Sequence, residues 1–126
     1  MRGTVRREVH IACPADKVWE LVGDAARIPE WFPGIVDAVV DGDTRTITTG
    51  AGVAMSETFD ADPLQRRFQY RIDGFREHVS TLDVIDLGDG TCLVVYGVDA
   101  DPNTMALVIG GAAGNALEHL RQLLED

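Results

Sequence analysis

Residues 103–125, NTMALVIGGAAGNALEHLRQLLE, decide the fold. They read as one long helix whose first half is almost uncharged and rich in small residues. Met105, Val108, Ile109, Ala112, Ala113, Ala116 and Leu120 recur at helical spacing, with Leu123 or Leu124 completing the apolar stripe. Gly110, Gly111 and Gly114 each cost about 1 kcal/mol relative to alanine inside a helix. Small residues there serve either close packing of helix on sheet or room for a ligand. Leu117, Leu120 and Leu124 fill core at the far end, so any internal space is expected opposite residues 105–113.

Everything between residues 36 and 99 reads as short strands and tight turns. The strands are expected at about 35–41, 44–49, 53–60, 66–73, 77–87 and 91–99, and a further one at 4–11 alternates Val5, Arg7, Val9 and Ile11 with Arg6, Glu8 and His10. The turns carry residues suited to them: Asp41-Gly42-Asp43, Gly50-Ala51-Gly52, Asp62-Pro63-Leu64-Gln65, Asp73-Gly74-Phe75-Arg76 and Gly88-Asp89-Gly90. Connections this short make consecutive strands antiparallel neighbours. After the first strand, Pro14 opens a short helix with Val18, Leu21 and Val22 on its apolar face. A second short helix runs around Ala25–Ile28, and Pro29, Pro33 and Gly34 argue against regular helix beyond it. The fold class is α+β, a curved seven-stranded antiparallel sheet closed by the long terminal helix. Residues 1–126 are most simply one domain.

Parity along the hairpins assigns the sheet's inner face. Val53, Met55, Glu57 and Phe59 share one side of their strand, and Phe68, Tyr70 and Ile72 share one side of the next. Centring the turn on Pro63-Leu64 pairs Phe59 with Phe68, Glu57 with Tyr70 and Met55 with Ile72. The following turns pair Ile72 with His78, Tyr70 with Ser80, Phe68 with Leu82, Leu82 with Tyr96 and Ser80 with Val98. One inner row then reads Glu57, Tyr70, Ser80, Val98, and its neighbour Phe59, Phe68, Leu82, Tyr96.

The order strand, two short helices, six strands and long terminal helix resembles the START-like or SRPBCC superfamily, with its helix-grip fold. The local match is to the bacterial polyketide cyclase/dehydrase group. Val9–Trp19, VHIACPADKVW, is similar to that group's opening strand followed by Pro-Ala-Asp/Glu and Val-Trp. Ile28–Gly34, IPEWFPG, resembles its W-x-P segment, and Glu57, Asp62 and Arg66–Tyr70 resemble its glutamate strand, acidic turn and tyrosine strand. Gly90-Thr91 with Tyr96 resembles a strand in which the family more often places Trp. The resemblance spans the chain and implies a hydrophobic cavity between sheet and helix.

Glu57 is the sharpest candidate for chemistry. A carboxylate on an apolar strand face is costly to bury unless it is paired or protonated. General acid–base catalysis, ligand contact and a purely structural hydrogen bond all suit it, with Tyr70 as its expected neighbour and proton-transfer partner. The expected ligand-binding set adds Trp31 and Phe32 as a lid, Met55, Phe59, His78, Ser80 and Tyr96 from the sheet, and Met105, Ile109 and Ala112 from the helix. Core packing is the alternative for the aromatics. His119 sits among Glu118, Arg121 and Gln122 and reads as solvated. The three histidines have no ligand-like spacing, so neither a metal nor another cofactor is expected.

The 21 acidic and 11 basic residues give a net charge of −10. Such a chain is repelled by nucleic acid and by anionic membrane surfaces. No apolar run follows Met1 and none is long enough to span a bilayer, while Cys13 and Cys92 lack a motif partner. A cytoplasmic protein with free thiols is expected. Searches for a phosphate loop, Gly-x-Ser-x-Gly and Cys-x-x-Cys find none. Three functions stay open. The first is a binder of a small hydrophobic or aromatic molecule, lipid or polyketide-like, in a cavity of roughly 300–1,000 Å³. The second is an aromatase/cyclase, a lyase-type enzyme using Glu57 and Tyr70. The third is a homodimeric interaction module, suggested by the outer-face residues Val79, Ile85, Leu87, Leu93 and Val95, which look too apolar for water.

Overall fold

The computed structural model describes residues 1–75 and 77–125. Arg76, expected in the 73–76 turn, lies outside them. Strand β1 (Gly3–Ile11) leads to α1 (Ala15–Val22), a 3₁₀ turn (Ala25–Arg27) and α2 (Ile28–Trp31). Strands β2 (Ile35–Asp41), β3 (Thr44–Thr49), β4 (Ala54–Asp62), β5 (Arg67–Ile72), β6 (Glu77–Asp86) and β7 (Cys92–Asp101) follow, and α3 (Asn103–Glu125) ends the chain. The strands form one curved antiparallel sheet of seven in the order β1-β7-β6-β5-β4-β3-β2. This is the helix-grip arrangement. Among the described residues no helix is long and apolar enough to cross a membrane.

Helix α2 corrects one expectation. Pro29 and Trp31 lie within a helical turn because Pro29 occupies its first positions, where no amide hydrogen is needed.

The β4–β5 hairpin corrects another. Glu57 pairs with Ile72, Phe59 with Tyr70 and Ala61 with Phe68, so the expected Glu57–Tyr70, Phe59–Phe68 and Met55–Ile72 pairs do not form. The cause is the turn. The Asp62 carboxylate accepts from the Leu64 and Gln65 amides, and Arg66 takes a left-handed φ of 51°, which closes the ladder at Asp62–Arg67. The turn therefore centres on Leu64–Gln65. The slip is an even number of residues, so every side chain keeps its face. The β5–β6 and β6–β7 pairs Tyr70–Ser80, Phe68–Leu82, Leu82–Tyr96 and Ser80–Val98 form as expected.

Helix α3 rests on β1 and β7. Ala106, Gly110, Ala113 and Ala116 are buried in that contact, whereas Val108, expected on the apolar stripe, is 66% exposed. A Cβ built on Gly110 would lie 2.4 Å from Val5 Cγ1, so glycine lets the helix approach the edge strand. Leu117 and Leu120 close the core at the far end, with Ile11, Val18, Val94 and Trp31.

The outer face is less apolar than expected. Ile85 and Leu87 are 42% and 45% exposed, but Val79 and Leu93 are half-buried and Val95 is 4% exposed between Glu8 and Asp83 of the adjoining strands. Thr81, Asp83, Gly97 and Asp99 interrupt the stripe on the same face.

Candidate functional site

A pocket of about 270 Å³ lies between β3–β5 and the middle of α3, slightly below the expected range. Ile47, Met55 and Ile72 form its sheet wall, and Ile109 and Ala112 its helix wall. Phe32, Pro33 and Gly34 from the segment after α2, with Val108 from α3, also line it. The space exists because α3 is drawn toward β1 by its glycine and alanines, away from β3–β5. Larger but more polar hollows of about 410 Å³ beside Trp19 and about 500 Å³ beside Arg71 lack such uniformly apolar walls. Apolar walls with a few convergent polar groups mark a small-molecule site better than size does.

Glu57 and Tyr70 supply the pocket's ionisable groups among the described residues. Glu57 is 2% exposed and faces Arg45, its direct partner across β3–β4. Arg45 Nε donates to Glu57 Oε1 at 2.8 Å, and Nη1 donates to the Ala25 carbonyl at 3.3 Å. Nη2 approaches the same Oε1 to 2.6 Å but off the hydrogen-bond line, leaving it without an aligned acceptor. The guanidinium also stacks 5.0 Å from the Phe68 ring centre and 5.4 Å from that of Tyr70. No described residue donates a hydrogen bond to Glu57 Oε2. Burial pushes the Glu57 carboxyl above its ordinary range, and the Arg45 charge pulls it only partly back.

Arg45 went unnoticed in the sequence, although a signal was present. It shares strand parity with Ile47, and the Gly50–Gly52 turn places residue 45 opposite residue 57.

Tyr70 is buried, and its hydroxyl is hydrogen-bonded to that of Tyr96. Burial raises both phenols above their ordinary value, Tyr96 well above, so both are neutral at physiological pH. Ser80 is fully buried opposite Tyr70, and its hydroxyl meets His78 Nε2 at 2.8 Å. His78 Nδ1 accepts from the Ile72 amide at 2.9 Å. Burial first, then the Arg71 charge, lowers the His78 pKa to about 4.

The pocket thus includes Phe32, Met55, Glu57, Tyr70, Ile109 and Ala112 of the expected set. It does not include the others. Trp31 is core, 2% exposed, with its indole nitrogen unpaired. Phe59 stacks on Phe68 with ring centres 5.3 Å apart, on the far side of Arg45. Tyr96 stands behind Tyr70, and Met105 is half-buried outside the pocket wall. His78 and Ser80 are not part of the pocket wall: His78 meets it through the Ile72 amide, and Ser80 lies opposite Tyr70 on the next strand. His119 is not solvated as expected: it is half-buried, and its Nδ1 donates to the Trp31 carbonyl at 3.1 Å.

Residues 2–125 match the family model described as polyketide cyclase / dehydrase and lipid transport. No functionally curated protein matches the sequence. Among solved structures, the chain is similar to the protein XoxI from Bacillus cereus, with 20% identity, TM-score 0.90 and 98% of this chain covering 96% of that one. It is similar to the Zhui aromatase/cyclase from Streptomyces sp. R1128, with 17% identity, TM-score 0.83 and coverage of 99% and 94%. A START superfamily protein from Mycobacterium smegmatis aligns at 20% identity and TM-score 0.73, with coverage of 97% and 94%. At these identities the likeness establishes the fold.

Proposed function

The chain belongs to the polyketide cyclase / dehydrase and lipid transport family, and from that premise we propose that it binds a small hydrophobic or aromatic molecule in the pocket between β3–β5 and α3. The observation that carries this reading is the pocket's composition, aliphatic and aromatic walls with Glu57 and Tyr70 converging on them. A volume of about 270 Å³ suits one ring or two fused rings, or a short acyl segment, rather than a whole lipid. Glu57 Oε2 takes no hydrogen bond from a described residue, which supports a role in accepting from a ligand hydroxyl, while the neutralising Arg45 charge removes the need for a cationic ligand. The two cysteines are free and buried, which fits a reducing compartment such as the cytoplasm. Native mass spectrometry of the purified protein tests the binding directly. A retained small molecule, lost in an Ala112→Trp variant that still folds, supports the reading. An empty protein that also ignores a panel of one- and two-ring phenols and ketones opposes it.

Glu57 favours a second reading, an aromatase/cyclase. A desolvated carboxylate with one oxygen free of protein donors suits removal of a proton from carbon beside a ketone. The ketone oxygen gains charge as the enolate forms, and the neutral phenol of Tyr70 on the pocket wall is the donor this reading assigns to it. The enolate carbon then attacks a second carbonyl, which closes the ring, and the alkoxide formed takes the proton back from Glu57; loss of that hydroxyl with a neighbouring hydrogen as water leaves a double bond in the ring. Glu57→Gln keeps the hydrogen bond from Arg45 but removes the base. A catalytic Glu57 predicts a turnover loss of about 10²–10⁴-fold with little change in ligand affinity. An unaltered turnover would leave the binding role alone.

A further inference from the structure

Arg45 stands directly opposite Glu57 across β3–β4, and each residue is 2% exposed. Three kinds of contact fix the guanidinium. Nη1 donates to the Ala25 carbonyl at 3.3 Å, and Nε donates to Glu57 Oε1 at 2.8 Å. The guanidinium carbon lies 5.0 Å from the Phe68 ring centre and 5.4 Å from that of Tyr70. Nη2 comes within 2.6 Å of the same Oε1. Both approaches of the cation thus fall on one oxygen, and Oε2 takes no hydrogen bond from a described residue. Glu57 lines the pocket and Arg45 does not, so a bound molecule meets the carboxyl and not the cation. What the carboxyl recognises depends on its proton. Ionised, it can only accept, and it selects a hydroxyl. Protonated, it carries an O–H and can donate to an ether or ketone oxygen. A carboxyl among apolar walls with no counter-charge keeps its proton at neutral pH. Arg45 supplies a counter-charge that no ordinary pH removes. Of the other groups near Glu57, Tyr70 is a neutral phenol and Asp73 acts against ionisation.

We infer that Arg45 is a positioning residue that sets the pocket's selectivity: it holds Glu57 ionised through Oε1, leaves Oε2 as an acceptor, and so fixes the ligand's polar end as a hydroxyl, that of a phenol, an enol or an alcohol. The inference rests on the ligand-binding reading of the pocket and adds the residue that decides which molecules the pocket prefers. It gives a function to a cation that does not touch the ligand. Without Arg45 the same carboxyl turns neutral, becomes a donor, and the preference moves from hydroxyl compounds to ethers and ketones.

Two measurements test this. The first compares the binding of 2-naphthol, which can donate, with that of 2-methoxynaphthalene, which can only accept, by titration calorimetry at pH 7. The wild type is expected to prefer 2-naphthol by about tenfold or more, as a hydrogen bond to a charged group should give. Arg45→Met should reverse the order, and Arg45→Lys, which keeps the charge, should keep it. Equal affinities in the wild type, or a preference for 2-naphthol that survives Arg45→Met, overturn the inference; a packing role alone weakens both compounds alike and leaves their order. The second is the carbon NMR signal of the Glu57 carboxyl in the ligand-free wild type, followed as acid is added, which needs neither a variant nor a probe. An ionised carboxyl at pH 7 is expected, and a protonated one refutes the inference. The wild-type preference for 2-naphthol should fall over the same pH range in which that signal titrates, and a preference indifferent to it is equally contrary. Should neither compound bind the wild type, the pocket reading is what fails, and the carbon signal still decides whether Glu57 is held ionised.

Discussion

Arg45 and Glu57 meet where each side chain is no more than 3% exposed. Two charges taken this far from water repay their desolvation only through each other and their remaining hydrogen bonds. Glu57→Leu should therefore cost about 3–5 kcal/mol by stranding the guanidinium, while Glu57→Leu combined with Arg45→Met should return to near or above wild-type stability. Urea unfolding of the four proteins in the cycle checks this, and additive losses would contradict it. His78 provides a test by pH. Arg71 and Arg2 face its cleft with Asp73 and Glu77, and burial, reinforced by the Arg71 charge, brings its pKa from the ordinary 6.5 to about 4. Between those values the unfolded chain binds a proton that the folded chain refuses. The His78 contribution to stability, about 3 kcal/mol at most, is thus complete above pH 6.5 and lost as pH falls toward 4. His78→Leu should flatten this part of the stability curve. At this scale the sequence disclosed Glu57, because a carboxylate among Met55 and Phe59 violates strand alternation. It disclosed Arg45 less readily, since β3 is polar at every position but Ile47 and so lacks a clear apolar alternation.

Helix α3 shows how two adjacent glycines differ in meaning. At Gly110 an added methyl would sit 2.4 Å from Val5 Cγ1 and 2.8 Å from Val5 Cβ, so helix and strand must part. Gly110→Ala should lose about 1–3 kcal/mol to overpacking, despite its gain in helix propensity. At Gly111 nothing lies within 4 Å, and Gly111→Ala should gain up to about 1 kcal/mol. Thermal melts of the two variants should move in opposite directions, with Val5→Ala rescuing Gly110→Ala. The helix was legible to both its ends because its apolar spacing and lack of breakers are local properties. Which of its small residues touch the sheet was not, because that depends on the tilt of α3 toward β1. The β4–β5 pairing failed for a similar reason. Parity follows from alternation, but the pairing depends on how many residues the turn consumes, and here Asp62 and Arg66 make it a four-residue turn.

At the scale of the whole molecule, the sheet leans on α3 along β1 and β7 and leaves a gap over β3–β5. Sheet curvature, a helix thinned by glycine and alanine, and the two-proline segment 29–33 together make that gap. The order of elements made its existence readable; its walls were less so, since Phe59, Tyr96 and Met105 all turn out to pack elsewhere. This gap is the proposed binding site. Methyl NMR of the isoleucine and methionine side chains during titration with 2-naphthol tests it most directly. Saturable shifts confined to Ile47, Met55, Ile72 and Ile109, abolished by Ala112→Trp, are the predicted result. Unmoved methyl signals, or shifts that survive Ala112→Trp, would contradict it.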